Sequence, residues 1–171
     1  MDDLGALCRD VPGFPKEGII FKDITPLLKE GASFKEVIDR FGDRYRDRGI
    51  DVVVSIEARG FIIGPAIAYK LGAGVVPVRK KGKLPWHCYQ ASYDLEYGTD
   101  TLEIHQDAIK PGERVLIVDD LLATGGTVGA VINLVERLKG QIVEIAFLIE
   151  LESLKGRERI RDYPVFSLIK C

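Results

Sequence analysis

Val115-Leu116-Ile117-Val118 is the stretch that most narrows what this chain can fold into: four consecutive apolar residues, three of them β-branched, with no polar face. A strand of this kind must be covered on both sides, which is the condition of strands in a parallel sheet. Asp51-Val52-Val53-Val54-Ser55-Ile56 repeats the pattern, and residues 74–78, 142–149 and 165–169 read the same way. Helical stretches alternate with them. Ser33 followed by Glu36 predicts a capping box, after which Phe34, Val37, Ile38, Phe41 and Tyr45 fall on one helical face, with Gly49 as a stop signal. Residues 61–71 predict a second helix. Val128, Val131, Ile132, Val135 and Leu138 predict a third, with Gly140 beyond its end, and a weaker one is expected over 154–161. Segment 79–90 is polar and punctuated by Gly and Pro, which reads as a loop; 93–97 and 101–105 read as two strands around a tight turn. Such alternation implies right-handed crossovers and an α/β fold, a mostly parallel twisted sheet with helices on both faces.

Composition sets the class. The 171 residues are about one domain's worth, and with no repeat or linker a single domain over 1–171 is expected. Lys and Arg number 24 against 26 Asp and Glu, so the net charge of −2 gives nucleic acid no broad electrostatic foothold. The most apolar stretch, residues 60–78, is interrupted by Lys70, glycines and prolines before it could span a bilayer, and no basic leader opens the chain. A cytoplasmic protein with neither nucleic-acid nor membrane partners is expected. Cys8, Cys88 and Cys171 are widely spaced and only His87 and His105 could join them, which disfavours both a disulfide framework and a zinc site.

In an open parallel sheet ligands bind beyond the carboxyl ends of the strands, so the informative segments follow Ile56, Val78 and Val118. After Val118 come Asp119 and Asp120, and then Ala123-Thr124-Gly125-Gly126-Thr127 leading into a helix. Small residues let successive backbone N–H groups converge on a phosphate at the positive end of the helix, and the Thr124 and Thr127 hydroxyls can donate as well. The two aspartates can accept hydrogen bonds from vicinal sugar hydroxyls but would repel a phosphate set against them. The site therefore calls for a sugar phosphate and not a naked polyphosphate. No GxxxxGK[ST] is present, and Gly72-Ala73-Gly74 reaches Pro77 where a dinucleotide fingerprint needs its third glycine, so neither nucleotide motif applies.

Residues 115–127 resemble the phosphoribosyl-pyrophosphate (PRPP) motif of the type I phosphoribosyltransferases. Further segments are similar to the adenine branch of that family: Phe14-Pro15-Lys16-Glu17-Gly18-Ile19-Ile20-Phe21-Lys22-Asp23-Ile24-Thr25-Pro26, Glu57-Ala58-Arg59-Gly60-Phe61, Arg79-Lys80-Lys81-Gly82-Lys83-Leu84-Pro85 and Tyr93-Asp94-Leu95-Glu96-Tyr97-Gly98. The resemblance implies the type I phosphoribosyltransferase fold with a small N-terminal hood over about 1–30 and a flexible loop and β-hairpin flap over about 79–105. It implies conversion of adenine and PRPP to AMP and pyrophosphate in purine salvage, with Mg²⁺ bound mainly through PRPP and not by protein ligands, in a homodimer.

Residue roles are carried over on the same ground. Arg59, Arg79, Lys80 and Lys83 are matched to positions that serve the pyrophosphate, some across a dimer interface. Asp119 and Asp120 are matched to the ribose, and Ala123, Thr124, Gly125, Gly126 and Thr127 to the phosphate. Adenine is expected to stack on Phe21, with its edge read by backbone groups around Ile20 and Lys22 and with Leu122 on its other face; many relatives have arginine at the position of Lys22. Arg59 and Glu96 are the catalytic candidates, Glu96 managing the proton lost when adenine N9 attacks, and Tyr97 helps close the flap. A non-proline cis peptide is implied in the 57–60 loop. Two alternatives stay open: a transferase for an oxopurine, which presents an acceptor where adenine has its C6 amine, and a PRPP-sensing regulator. The second is disfavoured because fewer than 55 residues precede the first sheet strand, with acidic residues leading them and no basic recognition helix evident.

Overall fold

The computed structural model describes residues 4–94 and 99–171. After a short 3₁₀ turn at Leu4–Leu7, strands β1 (Arg9–Pro12) and β2 (Ile20–Asp23) pair antiparallel in a small sheet of their own. Helix α1 (Thr25–Lys29) follows, its entry set by the Asp23 carboxylate, which accepts bonds of 2.9 Å from both the backbone N–H and the hydroxyl of Thr25. These elements form the hood.

The remaining elements build one large sheet. They are α2 (Gly31–Tyr45), β3 (Val52–Ile56), α3 (Gly60–Leu71), β4 (Gly74–Lys80), β5 (Cys88–Asp94), β6 (Thr99–His105), β7 (Arg114–Leu122), α4 (Gly126–Arg137), β8 (Gln141–Glu150), α5 (Gly156–Arg159) and β9 (Val165–Lys170). Among the described residues the sheet order is β5-β6-β4-β3-β7-β8-β9, parallel from β4 to β9 and antiparallel where β6 joins β4 and β5. Burial follows the strand alternation. Val54, Ile56, Ile117 and Ile145 pack under α4 with Val128, Val131 and Val135, whereas Val53, Leu116, Val118 and Ala146 pack under α2 and α3 with Phe41, Ile63 and Ile67. Removing a ring such as that of Phe41, which is fully buried, costs about 3–5 kcal/mol. Because β3, β4 and β7 run parallel, their carboxyl ends open on the same edge of the sheet.

Four elements differ from the sequence reading. Helix α2 is capped by Glu30, whose carboxylate accepts from the Ser33 backbone N–H at 2.9 Å and from its hydroxyl, while Glu36 turns instead to Arg40 one helical turn on. No Ser33–Glu36 capping box forms. Residues 79–90 are not all loop: Arg79 and Lys80 pair with Glu103 and Leu102, and Cys88 to Gln90 pair with β6, because the hairpin's ladder accepts polar residues on a sheet edge. Strand β7 runs on to Leu122, carried by pairing with β8 out to Leu122 opposite Glu150. The helix expected over 154–161 is instead a 3₁₀ turn at Glu152–Leu154 and the single turn α5, separated by Lys155 at φ 51°.

Candidate active site

Three segments meet at the carboxyl edge: the turn after β3, the end of β4 with the loop beyond it, and the turn from β7 into α4. The last is a backbone construction. Gly125 stands at the N-cap of α4 with φ 81°, a conformation other residues adopt at a cost, and its carbonyl accepts from the Gly129 N–H at 3.0 Å. A Cβ at Gly125 would also stand 2.7 Å from the Gly156 carbonyl oxygen, so both conformation and space require glycine. Ala123, Thr124, Gly125, Gly126 and Thr127 line a small hollow of about 60 Å³ together with Asp119. The sequence-selected residues of this turn are thus gathered around one cavity at the positive end of a helix.

Asp119 and Asp120 sit on the extended part of β7, where alternation sends them to opposite faces. The Asp119 carboxylate accepts from the Asp120 N–H at 2.9 Å, and the buried Asp120 carboxylate pairs with Arg59 Nε at 2.7 Å. Burial and the neighbouring Asp120 charge push the Asp119 carboxyl well up from its ordinary value. Burial raises Asp120 as well, opposed by the Arg59 charge. The site therefore holds more negative charge than its protein surroundings satisfy.

Arg59 links these acids to the hood. Its guanidinium carbon lies 4.8 Å from the centre of the Phe21 ring, and Nη1 makes a long contact of 3.5 Å with the Lys22 carbonyl oxygen. Phe21 is braced edge-on by Phe14 at 5.1 Å, and the Lys22 ammonium is held by Asp10 at 2.6 Å. Ile20 is exposed. Leu122 is placed differently from expectation: only 1% of it is exposed, and it packs in the cluster under α4. The leucine packed on the hood's side of the sheet is Leu121.

The remaining cations gather around a carboxylate that carried no role in the sequence reading. Glu57, directly after β3, accepts from Arg79 Nε and Nη2 at 3.3 Å each, from the Lys80 backbone N–H at 3.0 Å and from the Lys83 ammonium. Partial burial alone would raise this carboxyl, but the Lys83, Lys80 and Arg79 donors together bring it down to about 2. Its peptide bond to Ala58 is cis, as the resemblance implied. Lys80 turns its ammonium to Asp100 at 3.0 Å, and the buried Glu103 fixes the loop by accepting from the Gly82 N–H at 2.9 Å. Arg59 thus stands with Asp120 and Phe21, and Arg79 and Lys83 stand with Glu57. The signal for Glu57 was a lone carboxylate at the end of a strand whose five residues are all buried. Glu96 and Tyr97 lie outside the described residues.

Comparison with known proteins agrees with this layout. The family model for the phosphoribosyl transferase domain matches residues 23–170. An adenine phosphoribosyltransferase of Trichlorobacter lovleyi is 58% identical over 170 residues, covering 99% of each chain. The crystal structure of adenine phosphoribosyltransferase from Thermoanaerobacter pseudethanolicus superposes with a TM-score of 0.95 at 50% identity, covering 98% of both chains. That of the Saccharomyces cerevisiae enzyme, complexed with an imino-altritol bisphosphate and adenine, does so at 0.91 and 43% identity, covering 96% of both. A sheet edge carrying a glycine-built turn, paired acids and a cation cluster, on a chain alike over its whole length to these proteins, belongs to the adenine phosphoribosyltransferase family of type I phosphoribosyltransferases.

Proposed function

We propose that this chain transfers the phosphoribosyl group of PRPP to N9 of adenine, releasing pyrophosphate and forming AMP with inversion at ribose C1; its relatives are named adenine phosphoribosyltransferases. The observation that carries the residue assignments is the separation of charge along one sheet edge: acids at the end of β7, cations around Glu57, and a backbone phosphate cradle beyond the acids. As the C1–oxygen bond breaks, positive charge grows on the sugar and negative charge on the leaving pyrophosphate. Asp119 and Asp120 are desolvated, and of the two only Asp120 is paired with a cation, Arg59, so both gain when the sugar turns cationic and favour the transition state over the ground state. Arg79 and Lys83, pre-positioned by Glu57, serve the pyrophosphate, whose larger charge makes it the stronger partner. The helix end at Gly125 and Gly126, with Thr124 and Thr127, holds the 5′-phosphate. Adenine lies at Phe21 under the hood, its amine within reach of backbone acceptors at Ile20 and Lys22, and Glu96 takes the N9 proton.

No three His, Cys, Asp or Glu side chains form a metal cage among the described residues, and Asp120 is committed to Arg59. This donor set suits Mg²⁺ that takes most of its oxygens from PRPP and water, where it would neutralise phosphate charge. The chain works in the cytoplasm, where Cys8, Cys88 and Cys171 remain free thiols. It pairs as a homodimer through the apolar side chains that α3 and β4 leave exposed, Ile62, Tyr69 at 89% and Val75. Light scattering should accordingly give twice the 19.0 kDa chain mass, and a monomer would remove the dimer assignment.

The decisive assay is competition among purine bases with PRPP and Mg²⁺. Adenine should yield AMP and pyrophosphate, and chelation should stop turnover without lowering Tm. Preference for hypoxanthine or guanine would overturn the base assignment.

A further inference from the structure

The phosphate cradle is made of Ala, Thr and Gly, so it has almost no side chains with which to hold its own shape, yet its N–H groups must stay within about 0.5 Å of productive geometry. Something beneath it must fix the backbone. The turn around Gly156 fits the clearance described above: its carbonyl oxygen occupies the space a Gly125 Cβ would need, and a Cβ at Gly156 would overlap the Ala123 carbonyl oxygen and press on Leu122. Two backbones lie in direct contact.

That turn is itself fastened by one side chain. The Arg157 guanidinium makes a two-pronged pair with Glu150, Nε to Oε1 at 2.6 Å and Nη2 to Oε2 at 2.7 Å; Nη1 donates to the Val165 carbonyl at 2.8 Å and Nη2 to the Ser167 hydroxyl at 3.3 Å. Glu150 is about 5% exposed and pairs in register with Leu122, the residue from which the cradle departs, and the Leu151 N–H donates to the Leu122 carbonyl at 2.9 Å. A planar fork answering four acceptors on two strands is a rigid joint that a lysine cannot reproduce.

We propose that Arg157 is a positioning residue for PRPP: through Glu150 and the Gly156 backbone it sets the height of the phosphate cradle. This rests on reading residues 123–127 as the 5′-phosphate site. A joint that only stabilised the fold would lower Tm and leave ligand affinity of the folded protein untouched. The molecule supplies its own control. Arg44 makes the same two-pronged contact with Glu144, at 2.8 Å for both bonds, with Glu144 equally buried on the same strand, but at the level of Leu116 instead of Leu122.

The test is calorimetric titration of ribose 5-phosphate into folded wild type, Arg157→Lys, Gly156→Ala and Arg44→Lys, with steady-state kinetics alongside. Arg157→Lys keeps the charge and a contact to Glu150, so it provides a folded variant even if Gly156→Ala does not. Arg157→Lys should weaken ribose 5-phosphate binding and raise KM for PRPP on the order of tenfold, leaving KM for adenine unchanged, whereas Arg44→Lys should lower Tm with both affinities intact. Unchanged binding in Arg157→Lys, or equal weakening in Arg44→Lys, overturns the positioning role alone. Wild type that binds no ribose 5-phosphate overturns the cradle assignment beneath it.

Discussion

The two ends of the proposed PRPP site are held by different forces. At the phosphate end the contacts that define shape are backbone against backbone, Gly125 on the Gly156 carbonyl and Gly156 on the Ala123 carbonyl. At the pyrophosphate end shape is set by charge: Glu57 gathers Arg79, Lys83 and the Lys80 N–H, Asp100 takes the Lys80 ammonium, and Glu103 takes the Gly82 N–H. The first end takes its shape from steric contact between backbones, with the Arg157–Glu150 pair beneath it. The second is a set of exchangeable partners, suited to a group that must be gripped as it leaves and then released. A monoester phosphate that stays on the product and a pyrophosphate that departs call for these two solutions respectively.

The largest effect should come from spoiling the backbone contact. Gly125→Ala introduces both an unfavourable φ and a clash with the Gly156 carbonyl, so kcat/KM for PRPP should fall about a hundredfold or more, with a loss of about 1–3 kcal/mol in stability. A near-normal kcat/KM would mean that the cradle does not touch substrate. Next in size is the acid pair between the two ends. Asp119→Asn with Asp120→Asn should impair PRPP use by about a hundredfold while adenine binding, measured by equilibrium titration, stays close to wild type, and kinetics unchanged from wild type would detach these acids from the sugar.

The smallest effect, and the one that sharpens the contrast, is the titration of Glu57. Its folded pKa is depressed from 4.5 to about 2, so its stabilising contribution is fully present above pH 4.5 and is lost as pH falls from there toward 2. Glu57→Gln should flatten that part of the Tm-versus-pH curve and make KM for PRPP less reproducibly low at high salt, where the freed cations are screened. An acid limb identical to wild type would show that Glu57 does not hold the loop. The glycines and threonines of the phosphate end carry no charge to lose; the titratable group there is Glu150 beneath them, whose carboxyl Arg157 holds below its ordinary value.

Legibility in the sequence followed the range of the forces. Strand β3, helix α3 and the small-residue turn from Ala123 to Thr127 were readable because hydrophobic period, glycine and helix start are all written within a dozen adjacent residues. The reading stumbled where a partner far along the chain decided the outcome. β7 outlasted its apolar run because β8 pairs with it as far as Glu150; Leu122 packs in the core under α4 and Leu121 with the cluster on the hood's side. Glu36 lost the helix cap to Glu30 because Arg40 competes for it one turn away.

The same division holds for function. Residue order alone determined that a small-residue turn into a helix would follow two acids near a strand end, because glycine and the helix start at Gly126 are local signals. Which cations face which anions was decided by the tertiary structure: Arg59 is brought to Asp120 and Phe21, Lys83 to Glu57, and Arg157 to Glu150, Val165 and Ser167. Charge acts through space and takes no account of sequence distance, so a linear pattern names the ions but the folded sheet pairs them.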